Sequence, residues 1–347
     1  MPPAVAAAIE RVRGPALVFD RTTLAANMKA VAAAAHAHDI RVLFAAKSFA
    51  HAEVLALAAE LLDGFDVASP GELAAVATTK IISVADPTGA ALAEARGARV
   101  ICVCETPEQA AAAPATAEIA VRISASLLGR DPAIGAVLDG SGRRRSRFGL
   151  DTREAIAHVR AAAGARRVGL HVHHGPVTAT SGERFGATAK AMLELADFEP
   201  AFVDLGGAWH GIDDLPAAFA AARAAIACEL IIEPGRLFAL DAGFACGRIW
   251  SARELGDREL RVCDLSRAAH LRWSQPELVG YPPHAGTGRS VLFVGPTCYE
   301  EDVLGEWIVD PSHVPPEQRV VLRDITGYAV SWNTGFGGIA PADVVLA

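Results

Sequence analysis

Lys47 closes the apolar run "FAAK", His173 and His174 end "LHVHH", Gly206 and Gly207 follow "FVDL", and Glu233 opens "EPGR", whose last letter is Arg236. Nearer the C-terminus, "GPTCYEEDVLGE" sets Cys298 four residues ahead of Asp302. An amine held in apolar, partly desolvated surroundings favours its neutral form, so Lys47 is a candidate nucleophile. Cys298 reads two ways, as reactive thiol or as a small hydrophobe buried in a strand, and its own segment does not choose between them.

These groups gain meaning from the elements that carry them. Short runs rich in Val, Ile and Phe alternate with Ala/Leu/Glu segments of helical character, the pattern of βα units around a parallel sheet. The runs are 41–47, 64–69, 81–86, 99–105, 119–124, 167–175, 201–207 and 229–236. That number and spacing predict a (β/α)8 barrel over 21–236, whose first helix covers 21–38. In such a barrel the C-terminal strand ends form the active face. Here they bring together Lys47, Asp66 and Ser69, Asp86, Glu105, Arg122, His173 and His174, Gly206 and Gly207, Glu233 and Arg236. Any one of them is equally a polar strand end meeting water; the convergence of all is what points to chemistry.

Beyond Arg236 the runs "LFALDAGFACGRIW", "ELRVCDL" and "SVLFVGPTCYEEDVLGEWIV" lie between turns without long helices. They predict a second, all-β domain, sandwich- or barrel-like, over 1–20 and 237–347, with "GPALVFD" pairing with the C-terminal strands. The loop "DGSGRRRSRFGLD" is a basic cluster, either solvated or an anion or subunit contact.

A net charge of −8 argues against a nucleic-acid or anionic-membrane partner, leaving a small molecule as the expected ligand. Cys102, Cys104, Cys228, Cys246, Cys263 and Cys298 show neither C-x-x-C pairs nor metal-ligand spacing, so no zinc or other metal site and no disulfide framework is expected. With "MPPAVAAAIERVRG" fitting neither a signal peptide nor a spanning helix, a reduced, cytoplasmic protein is the expectation.

A barrel with lysine ending strand one, His after strand six, Gly-Gly after strand seven and E-P-G-R after strand eight, followed by a β domain, resembles the fold-type III pyridoxal-phosphate enzymes. The likeness is to the ornithine/diaminopimelate/arginine decarboxylase group, which shares its barrel with alanine racemases, and it runs from "GPALVFD" to "GIAPADVV". It implies pyridoxal 5'-phosphate as cofactor, carried by Lys47, with Glu233 facing the pyridine nitrogen where the racemases place an arginine. It further implies His173 stacked on the ring, and Gly206, Gly207, Arg236 and Tyr328 around the phosphate. Asp66, Glu72 and Arg122 match supporting positions. The family's third glycine is Ala208 here, and Pro176 stands where a small polar residue is usual; His174 has no assigned role.

The same likeness implies a homodimer in which the C-x-x-x-D segment enters the neighbouring active site, Cys298 returning a proton to Cα after CO2 leaves and Asp302 lying near the substrate amine. The residue after the cysteine is Tyr299 rather than the acid that contacts a distal amine in relatives; Glu300 or Glu301 replaces it only if the loop is re-registered. Asp264 matches a family aspartate, and Arg267 and Arg272 offer partners for a carboxylate. The expected activity is therefore decarboxylation of an amino acid or conjugate bearing an additional carboxylate, such as a citrate-linked siderophore precursor, rather than ornithine, lysine or diaminopimelate. An amino-acid racemase and a non-catalytic homologue that binds a partner remain the alternatives.

Overall fold

The computed structural model describes residues 1–125, 137–138, 144–173, 182–281 and 288–347, with 137, 138, 144, 145 and 182–185 described by their backbone alone. The eight apolar runs become parallel strands: Ile40–Ala45, Gly64–Val67, Ile81–Val84, Arg99–Cys104, Glu118–Ile123, Val168–Val172, Phe202–Asp204 and Glu229–Ile232. They close in chain order into a barrel, the eighth pairing with the first through Leu230 opposite Ile40. Leu43, Ile101, Val103, Ala120, Phe202 and Ile231 form one buried cluster among these strands, so the barrel is a filled core and not a pore. The first helix, Arg21–His36, stops two residues short of the expected end, and Asp39 takes a left-handed φ of 55° to reverse the chain into strand one.

Two ends of the barrel have opposite character. At the N-terminal end Arg99, Glu118 and Glu229 each open a strand. Arg99 grips Glu118 through Nε at 3.0 Å and Nη2 at 2.7 Å, and Nη1 reaches Glu229. Arg167 adds a bond to Glu118 at 2.6 Å. Every charge in that set has an opposite partner, as expected of the stabilising face. An open depression of about 630 Å³ beside it, bounded by 111–118 and 163–167, is lined largely by alanines and lacks a convergent polar set.

The chain divides into two compact units, 28–47 with 51–237, and 1–27 with 48–50 and 238–347. The second unit holds an eight-stranded sheet. Its long strand Gly243–Leu255 pairs with Arg319–Arg323 and Ala16–Phe19 along its first half, then with Arg258–Cys263 after a register shift at Ile249/Ser251. Ala16–Phe19 also pairs in parallel with Asp343–Leu346, so the early strand joins the C-terminal strands as anticipated. Missing from the sequence reading is the helix Pro3–Arg11, whose Val5, Ala8 and Ile9 pack on Ala16, Val18 and Phe244. Among the described residues no helix is long and apolar enough to cross a membrane.

Because Glu118 serves two arginines in a partly buried set, Glu118→Ala is expected to cost about 2–3 kcal/mol in a urea titration while leaving ligand binding at the opposite rim unchanged.

Candidate active site

At the C-terminal rim, strand one ends in a 3-10 turn, Ala46–Ser48, that turns Lys47 inward. Its Nζ bonds Oδ2 of Asp66, a buried residue of strand two. From strand five, Arg122 pairs with Glu105 at 3.3 Å, and Glu105 is held in turn by the Gly149 amide at 2.9 Å. Glu233 follows strand eight and is 4% exposed; its Oε2 accepts from Nε2 of His171 at 3.3 Å. Lys47, Asp66, Arg122, His171, His173 and Glu233 all line one cavity of about 400 Å³, whose wall is completed by Arg147 and Phe148. That volume suits a small cofactor with substrate.

The charges here are in conflict. Burial, reinforced by the negative charge of Glu233, lifts Asp66 to about 6, with Lys47 pulling the other way. Burial would also raise Glu233, yet the His171 contact and the Lys47 charge outweigh it and hold the carboxylate well below its ordinary range. His173 has surface open at the mouth of the site, but the protein packed around it and the positive charges of Lys47 and Arg122 push its imidazole down to about 3. It is a neutral ring, free of the desolvation cost of a cation.

The glycine turn after strand seven is built for close approach. Gly206 has φ +64°, and a Cβ there would lie 2.5 Å from the Val172 carbonyl oxygen. Its amide, expected to face a phosphate, donates instead to Oδ1 of Asp204 at 2.8 Å, and the Gly207 amide donates to Nδ1 of His173 at 3.2 Å. These two glycines therefore shape the turn while their N–H groups are engaged inward. Ala208 also sits in the left-handed region at φ 71°, so the methyl group is accommodated with backbone strain rather than by a shift of the turn. Arg236 stands at the start of the 3-10 turn Arg236–Ala239; burial first and its positive charge second depress His210 in the glycine turn's extension.

Most of the remaining predicted residues belong to the other unit, while Glu72 and Asp86 stay with the barrel. Cys298 and Tyr299 are exposed, as is Glu300, and Tyr299 packs edge-on against Phe336 with centroids 5.9 Å apart. Tyr328 stacks beside Trp273, and Arg272 lies 4.8 Å over the Trp332 ring, an aromatic partner rather than a carboxylate. Asp264 accepts the Arg248 amide at 2.7 Å. Asp302, expected near the substrate amine of a neighbouring copy, is held by groups of its own unit. It is 2% exposed, and its carboxylate accepts four bonds, from Ser266 Oγ, the Ala268 amide, and both the amide and hydroxyl of Thr297. Glu72 is likewise a local brace, accepting the Ala68 amide at 2.8 Å, and Asp86 binds the amides of Thr88 and Ala91.

His171 and Asp204 were not singled out from sequence, whereas Arg147 and Phe148 lie in the basic loop for which an anion or subunit contact was one of the two readings. His171 alternates with His173 along one strand, and that two-residue spacing was the available signal that both share a face. His174 and Pro176 lie outside the described residues, as do 139–143 of the basic loop.

Residues 22–240 match the family described as "Pyridoxal-dependent decarboxylase, pyridoxal binding domain". The curated proteins include no match. Solved structures of similar fold include the arginine decarboxylase of Paramecium bursaria Chlorella virus, at TM-score 0.80 and 18% identity over the whole of both chains. The lysine/ornithine decarboxylase of Vibrio vulnificus, in complex with cadaverine, aligns at TM-score 0.77 and 17% identity over 99% of this chain and 97% of its own. The carboxynorspermidine decarboxylase of Campylobacter jejuni, in complex with norspermidine, aligns at 0.77 and 19% over 96% and 94%.

Asp66 supplies a test of the site's electrostatics. Its folded pKa, about 6, lies above the ordinary 3.8, so the native state binds the proton more tightly. The stability this adds is full below pH 4 and is lost as pH rises through 6. Relative to Asp66→Asn, the cofactor-free wild type should lose on the order of 2–3 kcal/mol between pH 4 and 6.5 in denaturant titrations, and then level off.

Proposed function

The chain belongs to the pyridoxal-dependent decarboxylases, and on that premise we propose that it removes the α-carboxylate of an amino acid or amino-acid conjugate that carries a further anionic group. Pyridoxal phosphate is the cofactor, and when bound it supplies the electron sink that lets a bond at Cα break. The residues present fit it. The cavity is of suitable volume, Lys47, Asp66, His173 and Glu233 line it together, and Asp66 Oδ1 is a buried oxygen with no donor among the described residues.

In this reading the Lys47 amine would hold the cofactor, with Asp66 fixing the place of that amine. Glu233, an anion under the influence of His171 and Lys47, holds a proton at the pyridine nitrogen. Neutral His173 packs on the ring, while Arg122 stays tied to Glu105. Arg236 would receive the phosphate. The observation that carries the reading is the joint lining of one cavity by Lys47, Asp66, His173 and Glu233 in a member of this family.

The proton returned to Cα is assigned to Cys298 of a second copy. Cys298 is exposed, and its unit displays Tyr299, Phe336, Trp332 and Trp273 at 49%, 48%, 40% and 58% exposure. An apolar group of that kind supports an interface with another chain. For the substrate, Arg147 faces the cavity, its guanidinium 4.0 Å from the Phe148 centroid, with no ion-pair partner among the described residues. Together with Tyr299 in place of an acid, this favours an anionic distal group over an ammonium. Neither the site nor the comparisons support a siderophore precursor, so the substrate class is kept at that chemistry.

Purified protein should show a visible absorbance band that borohydride shifts and Lys47→Ala abolishes; absence of the band in wild type would remove the cofactor assignment. Carbon dioxide release should be found with carboxylate-bearing amino acids and not with ornithine or lysine, while D-isomer formation without gas would make the protein a racemase. Cys298→Ala should lower kcat by about 10²- to 10⁴-fold. Mixing it with Lys47→Ala should restore roughly a quarter of wild-type activity through mixed dimers, and no recovery would argue against shared sites.

A further inference from the structure

Asp204, the last residue of strand seven, is fully buried, does not line the cavity, and has no assigned task. One carboxylate oxygen, Oδ1, accepts the Gly206 amide at 2.8 Å. Its other oxygen, Oδ2, and Oε1 of Glu233 are both buried without a donor. Ligating atoms of Asp204, Glu233 and His171 lie within 4.8 Å of one another, and the two carboxyl groups are in side-chain contact. Two ionised carboxylates cannot donate to each other, so this contact is repulsive unless one carries a proton.

We propose that Asp204 is a neutral carboxylic acid that donates its proton to Glu233, making it a positioning residue that ties the acid facing the cofactor ring to the glycine turn at the cofactor's phosphate end. The choice between the two carboxyls follows from their neighbours. The His171 imidazole bonds Glu233 and the Lys47 charge favours its ionised form, whereas Asp204 accepts the Gly206 amide and faces the negative fields of Glu233 and Asp66. Burial and those fields both favour its protonated form. The link is reinforced by backbone, since the Glu233 amide donates to the Gly206 carbonyl at 2.9 Å and Trp209 Nε1 donates to the same oxygen at 2.7 Å. Strands seven and eight thus enter the site as one braced pair. Glu233 is fixed by a donor on each side, His171 on one and Asp204 on the other.

A buried acid of this kind can also be a plain structural link, and the protonation state separates the two. An asparagine at 204 can repeat both contacts, its carbonyl accepting from Gly206 and its amide donating to Glu233, whereas alanine leaves Glu233 Oε1 and the Gly206 amide without partners. The infrared difference spectrum of the holoenzyme, wild type minus Asp204→Asn, should contain the carbonyl stretch of a protonated carboxylic acid, insensitive to pH across the range where the protein is folded. Asp204→Asn should keep the pH dependence of cofactor absorbance, and Asp204→Ala should change it and weaken cofactor affinity roughly 10- to 100-fold. Absence of the acid band, or an asparagine variant that behaves as alanine does, would overturn the proposal. The band measurement needs only the near-isosteric asparagine variant, so a failure of the alanine variant to fold leaves the test intact. The proposal rests on Glu233 as the cofactor's partner for its meaning, not for its proton. If Glu233→Gln leaves cofactor absorbance unchanged, the cofactor reading of Glu233 falls while the acid band at Asp204 still decides its protonation.

Discussion

Three carboxylates, Asp66, Asp204 and Glu233, are buried together at one end of the barrel, and the rest of the site is arranged around their repulsion. Two like charges about 5 Å apart cost roughly 3 kcal/mol at an effective dielectric near 20, which is a sizeable share of a domain's net stability. The conflict is resolved by different means at each acid. Glu233 has His171 and Lys47 to keep it ionised, Asp66 shares Lys47 and is lifted to about 6, and Asp204 has burial and two neighbouring carboxylates, which favour its protonated form. A set of acids split in this way can present an anion to one group and a neutral donor to another at the same pH, which acid–base work requires.

The opposite end of the barrel shows what the same fold does when stability alone is at stake. Arg99, Arg167, Glu118 and Glu229 alternate in sign, with each carboxylate gripped by two guanidiniums. Nothing there is left unpaired. At the rim, by contrast, Asp66 Oδ1 and His171 Nδ1 are buried atoms without partners among the described residues. Folding tolerates this because the strands below are filled with apolar side chains, so the core's stabilisation is collected away from the site that strains it.

Strand positions were legible in the sequence because fully buried parallel strands have to be continuous apolar runs, and the polar letters ending them mark the rim. Lys47 and Glu233 could be found that way. Asp204 and His171 were harder to pick out, Asp204 because the Gly-Gly turn after it draws the eye as the strand's end and His171 because only its two-residue spacing from His173 marks its face, and closure of the barrel is what brings them together. The amide of Gly206 illustrates a second limit. Its residue type announces a tight turn, but the direction of its N–H depends on φ and on Asp204 two residues earlier, neither of which a motif specifies.

The spacing from Cys298 to Asp302 suggested two chemical partners, and the structure divides the labour differently. Gly295 donates to the Asp302 carbonyl at 2.7 Å, and the Asp302 amide donates back to Tyr299 at 2.9 Å. With four further bonds to its carboxylate, Asp302 is the internal staple of a short turn whose tip is Cys298. A carboxylate that accepts from that many donors is held in place by them. The cysteine gains from the arrangement, since a thiol on a rigid tip has its position fixed without being covered. Cys102, Cys104 and Cys263 make the contrast, pushed to about 12 by burial and so removed from proton chemistry. Four letters apart in the chain, then, one side chain is displayed and the other displays it.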